Sequence, residues 1–445
     1  MGKYFGTDGY RGEAGTSLTA LHAYRIGRYL GYRKDGEERA RIVIGKDTRR
    51  SSYMLEYAIA AGICASGGDA YLLHVTTTPS VSYVVSRDGF SAGVMISASH
   101  NPYYDNGIKL MNSQGEKMGE DITDKIEEYI DAQGDYLPLA KRERIGRTVD
   151  YVLGRNRYTG YLISLSRHSY KGLRVGIDGA NGAAWMLARS VFETLGAKTY
   201  VIGDTPDGTN INREVGSTHI DALEALVRRE GLDIGFAFDG DADRCLAVDE
   251  RGNIIRGENI LYFMAKYLSQ RGELSPPTVV TTVMSNLGLT KALKAEGIST
   301  EICDVGDRFV WESMRGSGAA LGGEESGHII FAKHASTGDG LITAIKIMEA
   351  LIESKGTASR LSDGLTLYPQ LTRSVRVADK ERALSDEGVR KTLKTCEKML
   401  HGDGRILLRK SGTEPVIRVM VEASDSSLCA EITEKLTLAV ASAAE

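Results

Sequence analysis

Three aspartates at alternate positions, Asp239, Asp241 and Asp243, followed directly by Arg244, are the densest chemical signal in this chain. In an extended segment alternate side chains point the same way, so the three carboxylates are expected to converge on one point. Two like charges about 4 Å apart cost about 4 kcal/mol at an effective dielectric of about 20, so a cation, a proton or a positive neighbour must compensate. Hard oxygen ligands suit Mg²⁺ or Ca²⁺. An EF-hand would place Glu250 at loop position 12. Against it, Arg244 occupies the position that requires glycine, and the preceding Leu232-Asp-Ile-Gly-Phe-Ala-Phe238 has the character of a strand. A solvated acidic turn and an Mg²⁺ site remain, and the Mg²⁺ site leaves a coordination position for a substrate phosphate. Arg244 then either spans metal and phosphate or acts only as a neutralising partner.

Three further polar segments carry chemistry. Ser97-Ala-Ser99-His100-Asn101-Pro102 follows the apolar run Ala92–Ile96. Proline ends a buried strand there, and Ser99 presents its hydroxyl at the carboxyl end, where α/β folds place reacting groups. Its bland alternative is a turn or cap serine. Gly323-Glu324-Glu325-Ser326-Gly327-His328 offers a carboxylate and a hydroxyl for sugar hydroxyls, and an imidazole for proton transfer. A glycine-bounded turn with a core histidine is the alternative. Arg409-Lys410-Ser411-Gly412-Thr413, with Arg418 on the next strand, is a phosphate-binding inventory of cations, hydroxyls and turn amides. A hairpin bearing solvated basic residues would read alike.

The elements that must carry these loops follow one grammar in three places: a short apolar strand, a polar turn, a helix and a second strand. The first runs Arg41–Gly45, a helix over 51–66, and Ala70–His74. The second runs Leu173–Ile177, a helix through about Leu195, and Thr199–Ile202; the third runs Thr278–Val283, a helix to about Ala295, and Thr300–Cys303. Such alternation implies parallel sheets covered on both faces. The tail differs, with a strand over 372–377, a helix over 380–399, strands over 404–409 and 416–421, and a final helix from Ser426. Polar stretches place boundaries near 150, 250 and 365, giving α/β domains 1–150, 151–250 and 251–365 and an α+β domain 366–445.

A chain of 445 residues exceeds a single hydrophobic core. Hydrophobic content of 42%, charged content of 26% and a net charge of −4 offer no general attraction to nucleic acid or to an anionic membrane. The start lacks an apolar signal core and no long apolar run occurs, so a cytoplasmic protein is expected. Its five cysteines are scattered without paired spacing, and reduced packing roles are expected.

With the opening Phe5-Gly-Thr-Asp-Gly-Tyr-Arg11-Gly12, the four loops occur in an order that resembles the α-D-phosphohexomutase family through essentially the whole chain. The likeness is closest to the bacterial phosphoglucosamine mutases, in 96–109, in Asp207-Gly-Thr-Asn-Ile-Asn212 with Gly216-Ser-Thr-His219, and in Arg409-Lys410. Two residues depart from that branch, Tyr10 where isoleucine is common and Glu325 where glutamine is common. The resemblance implies a heart-shaped molecule of four domains, three of similar mixed or parallel-sheet α/β topology and a C-terminal α+β domain, each contributing one active-site loop.

It further implies that Ser99 carries a phosphoryl group, and that Asp239, Asp241 and Asp243 hold one Mg²⁺ with a phosphoserine oxygen as an additional ligand. Glu324 and Ser326 would bind sugar hydroxyls, and Arg409, Ser411, Gly412 and Thr413, aided by Arg418, the non-reacting phosphate. Arg11, His100, Lys109, Arg244 and His328 would position phosphate or move protons. Lys109 as a base needs a lowered pKa, expected from nearby Arg11 or Arg244. The implied reaction interconverts hexose 6-phosphate and 1-phosphate through a 1,6-bisphosphate that also serves as activator. Glucosamine phosphate is the first substrate, feeding UDP-N-acetylglucosamine and cell-wall synthesis. Small-molecule sugar phosphates are the expected partners, with no nucleic acid or membrane, in a monomer or homodimer. The alternatives are glucose or mannose phosphates, a metal-dependent sugar phosphatase, and a sugar-phosphate-binding or calcium-binding protein without catalysis.

Overall fold

The computed structural model of the chain describes residues 2–34, 37–410 and 415–443. They form two compact units, one of residues 1–283 and 300–363 and the other of 284–299 and 364–445. The first unit holds three mixed sheets. The largest has seven strands in the order Phe5–Gly6, Gly9–Glu13, Asp105–Met111, Ala92–Ile96, Arg41–Lys46, Asp69–Val75, Thr148–Asp150. Its last four strands are parallel, and the strand Ala92–Ile96 is buried throughout, which is why its side chains are apolar without alternation.

The second sheet orders Ile254–Ile255, Cys245–Asp249, Ile234–Phe238, Arg174–Asp178, Lys198–Ile202, and the third Ser299–Cys303, Thr278–Thr282, Leu321–Gly323, Ile329–Phe331. One construction recurs in all three. A buried strand parallel to one neighbour ends in a polar loop and returns as an antiparallel strand on the other side. Ala92–Ile96 returns as Asp105–Met111, Ile234–Phe238 as Cys245–Asp249, and Leu321–Gly323 as Ile329–Phe331. The serine, acidic and sugar loops are these three returns.

The second unit is an antiparallel sheet, Gln370–Arg376, Val416–Ala423, Gly404–Lys410, packed on helices. The segment 284–299 belongs to it. Asn286 exchanges hydrogen bonds with Tyr368, donating to its carbonyl and accepting from its N–H at 2.9 Å each.

Two element expectations change. The helix expected over 380–399 is two, Lys380–Ser385 and Glu387–Met399, because Asp386 leaves helical geometry and caps the second through Val389 N at 2.9 Å. In the second module the helix is only Leu187–Thr194, since the residues after Asp178 fold into turns. The five cysteines are free. No helix among the described residues is long and apolar enough to cross a membrane.

Asp178 anchors those turns. Its carboxylate accepts from Ala180 N at 2.9 Å and Gly216 N at 2.7 Å, and burial pushes its pKa up to about 6 against these bonds. A raised acid pKa means that the folded chain holds the proton more tightly than the unfolded one. The stability this gives is complete below the unfolded value near 4 and is lost as pH rises through about 6. The urea midpoint should therefore fall between pH 4 and pH 6.5 more steeply in the native chain than in Asp178→Asn; equal slopes would refute the assignment.

Candidate active site

Ser99 lies just beyond its strand with φ +51°, a left-handed conformation that a residue with a Cβ rarely adopts. It is 1% exposed. Its N–H donates to Ser97 Oγ at 2.9 Å, and its hydroxyl donates to Asp239 Oδ2, a contact between the first and second modules. His100 Nδ1 stands 3.3 Å from the same hydroxyl. Burial, then Arg244 and Arg11, push the His100 pKa down to about 4, so its ring is neutral at pH 7.

The acidic loop brings Asp239, Asp241 and Asp243 together, with one ligand atom from each lying within 4.8 Å of the others, all three buried. It does so as a turn, which corrects the expectation of an extended segment. Phe238 and Cys245 are cross-strand partners, so the six intervening residues must reverse the chain. Ala242 at φ +58° and its N–H bond to Asp239 O at 3.1 Å accomplish the reversal. Gly240 is required because a Cβ there would lie 2.5 Å from Ser99 O.

Positive groups ring the triad. Lys109 Nζ lies 2.8 Å from Asp241, 3.2 Å from Asp243 and 3.3 Å from Asp8. The Thr78 hydroxyl donates to Asp241 and the Arg244 N–H to Asp239 Oδ1 at 3.2 Å. Burial and then the charges of Asp243 and Asp241 raise the Asp239 pKa well above the carboxylate range. Burial works the same way on Asp243, but Lys109 and His328 overcome it and hold its pKa well down. Oδ1 of Asp241 and Oδ1 of Asp243 are buried with no hydrogen-bond partner. Two orphaned carboxylate oxygens among converging ligands are what a hard divalent cation satisfies, so the donor set fits Mg²⁺.

The expected lowering of the Lys109 pKa is overturned. Burial does oppose its charge, but Asp241, Asp243 and Asp8 outweigh burial and raise the pKa well above the lysine range. Lys109 stands among carboxylates, so it is an ammonium in this arrangement. Arg11 pairs with Asp8 and donates to Ala98 O at 2.7 Å, bracing the serine loop from the opening segment.

The sugar loop is a hairpin turn joined to the acidic loop through Cys245 N and Gly327 O at 3.0 Å. Glu324 accepts from Gly306 N at 3.1 Å, and burial raises its pKa. Ser326 Oγ is buried without a partner. His328 lies 3.8 Å from both Asp243 and Asp307. Burial disfavours its charge, whereas its bond to Asp243 and the surrounding carboxylates favour it. Gly338 N–H nevertheless donates to Nε2 at 2.8 Å, which only an unprotonated nitrogen can accept, and this bond makes the ring neutral with its proton on Nδ1.

Several partners had no signal of their own in the sequence. Lys117 Nζ binds Thr7 O at 3.0 Å, Asp8 at 2.9 Å and Asp307 at 2.6 Å, tying the opening loop to the helix Asp307–Ser317. With Lys109 and Asp243 these charges line a cavity of about 210 Å³. Asp8 sits inside the opening motif and could have been found there; Lys117 and Asp307 are single charges at ordinary positions. Arg49 is likewise buried behind the serine loop, and so is Asn212, which ends the 207–212 segment that the sequence marked without a role.

In the second unit, Arg409 and Arg418 are directly opposed across adjacent strands. Like charges so placed repel unless an anion joins them. Ser411, Gly412 and Thr413 lie outside the described residues.

Four segments match the family described as phosphoglucomutase/phosphomannomutase: alpha/beta/alpha domain I over 2–136, domain II over 156–252, domain III over 256–368, and the C-terminal domain over 374–439. A protein of Lachnospira eligens named phosphoglucosamine mutase is 58% identical over 439 residues, covering 98% of each chain. A solved phosphoglucomutase/phosphomannomutase family protein of Burkholderia thailandensis superposes with a TM-score of 0.80 at 23% identity, covering 100% of this chain and 98% of that one. Aspergillus fumigatus N-acetylphosphoglucosamine mutase, solved with GlcNAc-6P and magnesium, gives a TM-score of 0.66 at 17% identity, covering 99% of this chain and 96% of that one.

If the carboxylate triad is a cation site, millimolar Mg²⁺ should raise the unfolding temperature of the native chain, a ligand at about 100 times its Kd contributing about 2.7 kcal/mol. The double variant Asp241→Ala/Asp243→Ala should show no such shift in a calorimetric scan. An undiminished shift would rule the site out.

Proposed function

The chain belongs to the phosphoglucomutase/phosphomannomutase family, and on that premise we propose that it interconverts hexosamine 6-phosphate and 1-phosphate through a phosphorylated Ser99. Glucosamine 6-phosphate is its first substrate, a reading supported by the 58% identity to a phosphoglucosamine mutase over nearly the whole of both chains. The observation that carries the mechanism is the Ser99 hydroxyl bonded to Asp239 inside a three-carboxylate turn with two orphaned oxygens.

Phosphoryl transfer passes through a loose transition state, so positioning and charge neutralisation supply most of the catalysis. Mg²⁺ held by Asp239, Asp241 and Asp243 would withdraw charge from the phosphoryl group and from the departing Ser99 oxygen. A substrate hydroxyl attacks phosphorus in line as the bond to Ser99 Oγ breaks. The attacking hydroxyl gives up its proton on the far side of phosphorus, and the departing Ser99 oxygen takes up a proton, with neutral His100 beside it as the group that can relay it. Lys109, Arg244 and Arg11 balance the phosphate charge. Glu324 and Ser326 bind the sugar, the second through a buried hydroxyl that has no other partner.

The product of this half-reaction is a 1,6-bisphosphate, which turns over and returns its other phosphate to Ser99. The same bisphosphate supplied in trace amounts charges an unphosphorylated serine. Arg409, Ser411, Gly412 and Thr413, with Arg418 opposite Arg409, hold whichever phosphate is not reacting.

The test is a coupled assay with glucosamine, glucose, mannose and N-acetylglucosamine phosphates, each with Mg²⁺ and catalytic bisphosphate. Turnover should be fastest with glucosamine phosphate, and a tenfold preference corresponds to about 1.4 kcal/mol of transition-state binding. Ser99→Ala should lose turnover by about 10⁴-fold or more with an unchanged unfolding temperature. Near-normal turnover in that variant contradicts the phosphoserine route, and inorganic phosphate released in step with substrate loss identifies a phosphatase.

A further inference from the structure

The left-handed backbone of Ser99 has to be held by its surroundings. Two carbonyl oxygens of its loop, those of Ser99 and Asn101, turn inward and are gripped from two directions. Arg49 Nη2 donates to Ser99 O at 3.1 Å and to Asn101 O at 2.6 Å. Asn212 Nδ2 donates to the same two oxygens, at 2.8 Å and 3.2 Å. Arg49 immediately precedes the helix Arg50–Ala65 of the first module, whereas Asn212 follows the strand Lys198–Ile202 of the second.

Neither side chain is placed to do chemistry. Arg49 is fully buried, and Asp47 takes up its charge by pairing with Nη1. Asp47 also accepts from Arg49 N at 3.0 Å and from the Ser52 hydroxyl at 2.7 Å, so the guanidinium is fixed by its own supports. Asn212 is 6% exposed, and its N–H donates to Ala180 O at 2.9 Å. That bond docks it on the turns anchored by Asp178.

We propose that Arg49 and Asn212 are positioning residues that together hold the Ser99 corner in its reactive shape, one from each of the two modules whose loops supply the serine and the carboxylates. The inference rests on the phosphoserine mechanism. Released from the grip, Ser99 relaxes toward the common negative-φ regions and its Oγ swings off Asp239. Transfer in both directions then slows, while the sugar and the cation, held by other residues, bind as before. Misplacement by about 1 Å costs about 10²-fold in rate.

The experiment compares the native full-length chain with Asn212→Ala, Asn212→Asp and Arg49→Lys, using glucosamine 6-phosphate, Mg²⁺ and trace glucose 1,6-bisphosphate. Asn212→Asp keeps the shape of the side chain but removes the donor. Expected for both Asn212 variants is a kcat lower by about 10²-fold, KM within twofold of native, and an undiminished Mg²⁺-induced rise in unfolding temperature. Phosphorylation of Ser99 by bisphosphate, followed by intact mass, should slow in parallel. If Arg49→Lys fails to fold, the Asn212 pair decides alone. A kcat within threefold of native in Asn212→Ala, full activity in Asn212→Asp, or a loss confined to KM overturns the inference while native turnover leaves the mutase reading standing. A native chain that neither isomerises the sugar nor gains phosphate on Ser99 overturns both.

Discussion

Three carboxylates buried around one point are the constraint to which the rest of the first unit answers. Left alone they could not all ionise, and the raised pKa of Asp239 beside the lowered one of Asp243 records that conflict. Lys109, Arg244 and the Ser99 and Thr78 hydroxyls settle part of it, and two oxygens remain for a cation. A stable fold would be easier without such a turn, so its presence argues for chemistry that needs concentrated charge in a dry place.

The architecture supplies that place by repetition. Each of the three mixed sheets ends a buried strand in a polar loop and returns antiparallel, so the reacting groups sit on short loops held by rigid strands at both ends. Direct backbone bonds then tie the acidic return to the first module and to the sugar return. Thr78 N to Asp241 O at 3.0 Å and Cys245 N to Gly327 O at 3.0 Å join loops that are far apart in the chain. Gly240 permits the close approach to Ser99 O in the serine loop, and Gly327 that of the sugar loop to Cys245 O.

Much of this was legible in the sequence for a physical reason. Strand ends with Asn-Pro, alternating aspartates and glycine-bounded polar runs are compositions that packing alone does not produce. The three α/β modules and the antiparallel tail could be read because short apolar runs and amphipathic helices have distinct periods. What was not legible depends on contacts. Period-two alternation suggested an extended acidic loop, whereas antiparallel pairing of Phe238 with Cys245 forces a turn through a left-handed alanine, which no glycine marks. The direction of the Lys109 shift depended on which charges surround it, and carboxylates outnumber the arginines there. Lys117, Asp307 and Arg49 look like ordinary polar residues until the fold shows what each one touches, and Asn212, though it ends a segment shared with the family, has no readable role until then.

The central claim is that Ser99 carries the phosphoryl group between the two ends of the sugar. A single-turnover experiment measures this directly: the chain, charged on Ser99 with ¹⁸O-labelled phosphate and freed of excess donor, is mixed with glucosamine 6-phosphate and Mg²⁺, and the sugars and protein are read by mass spectrometry. The account predicts that the label leaves the protein within one turnover and appears first in glucosamine 1,6-bisphosphate. Label that stays on the protein while the sugar isomerises, or that appears as inorganic phosphate, would contradict it.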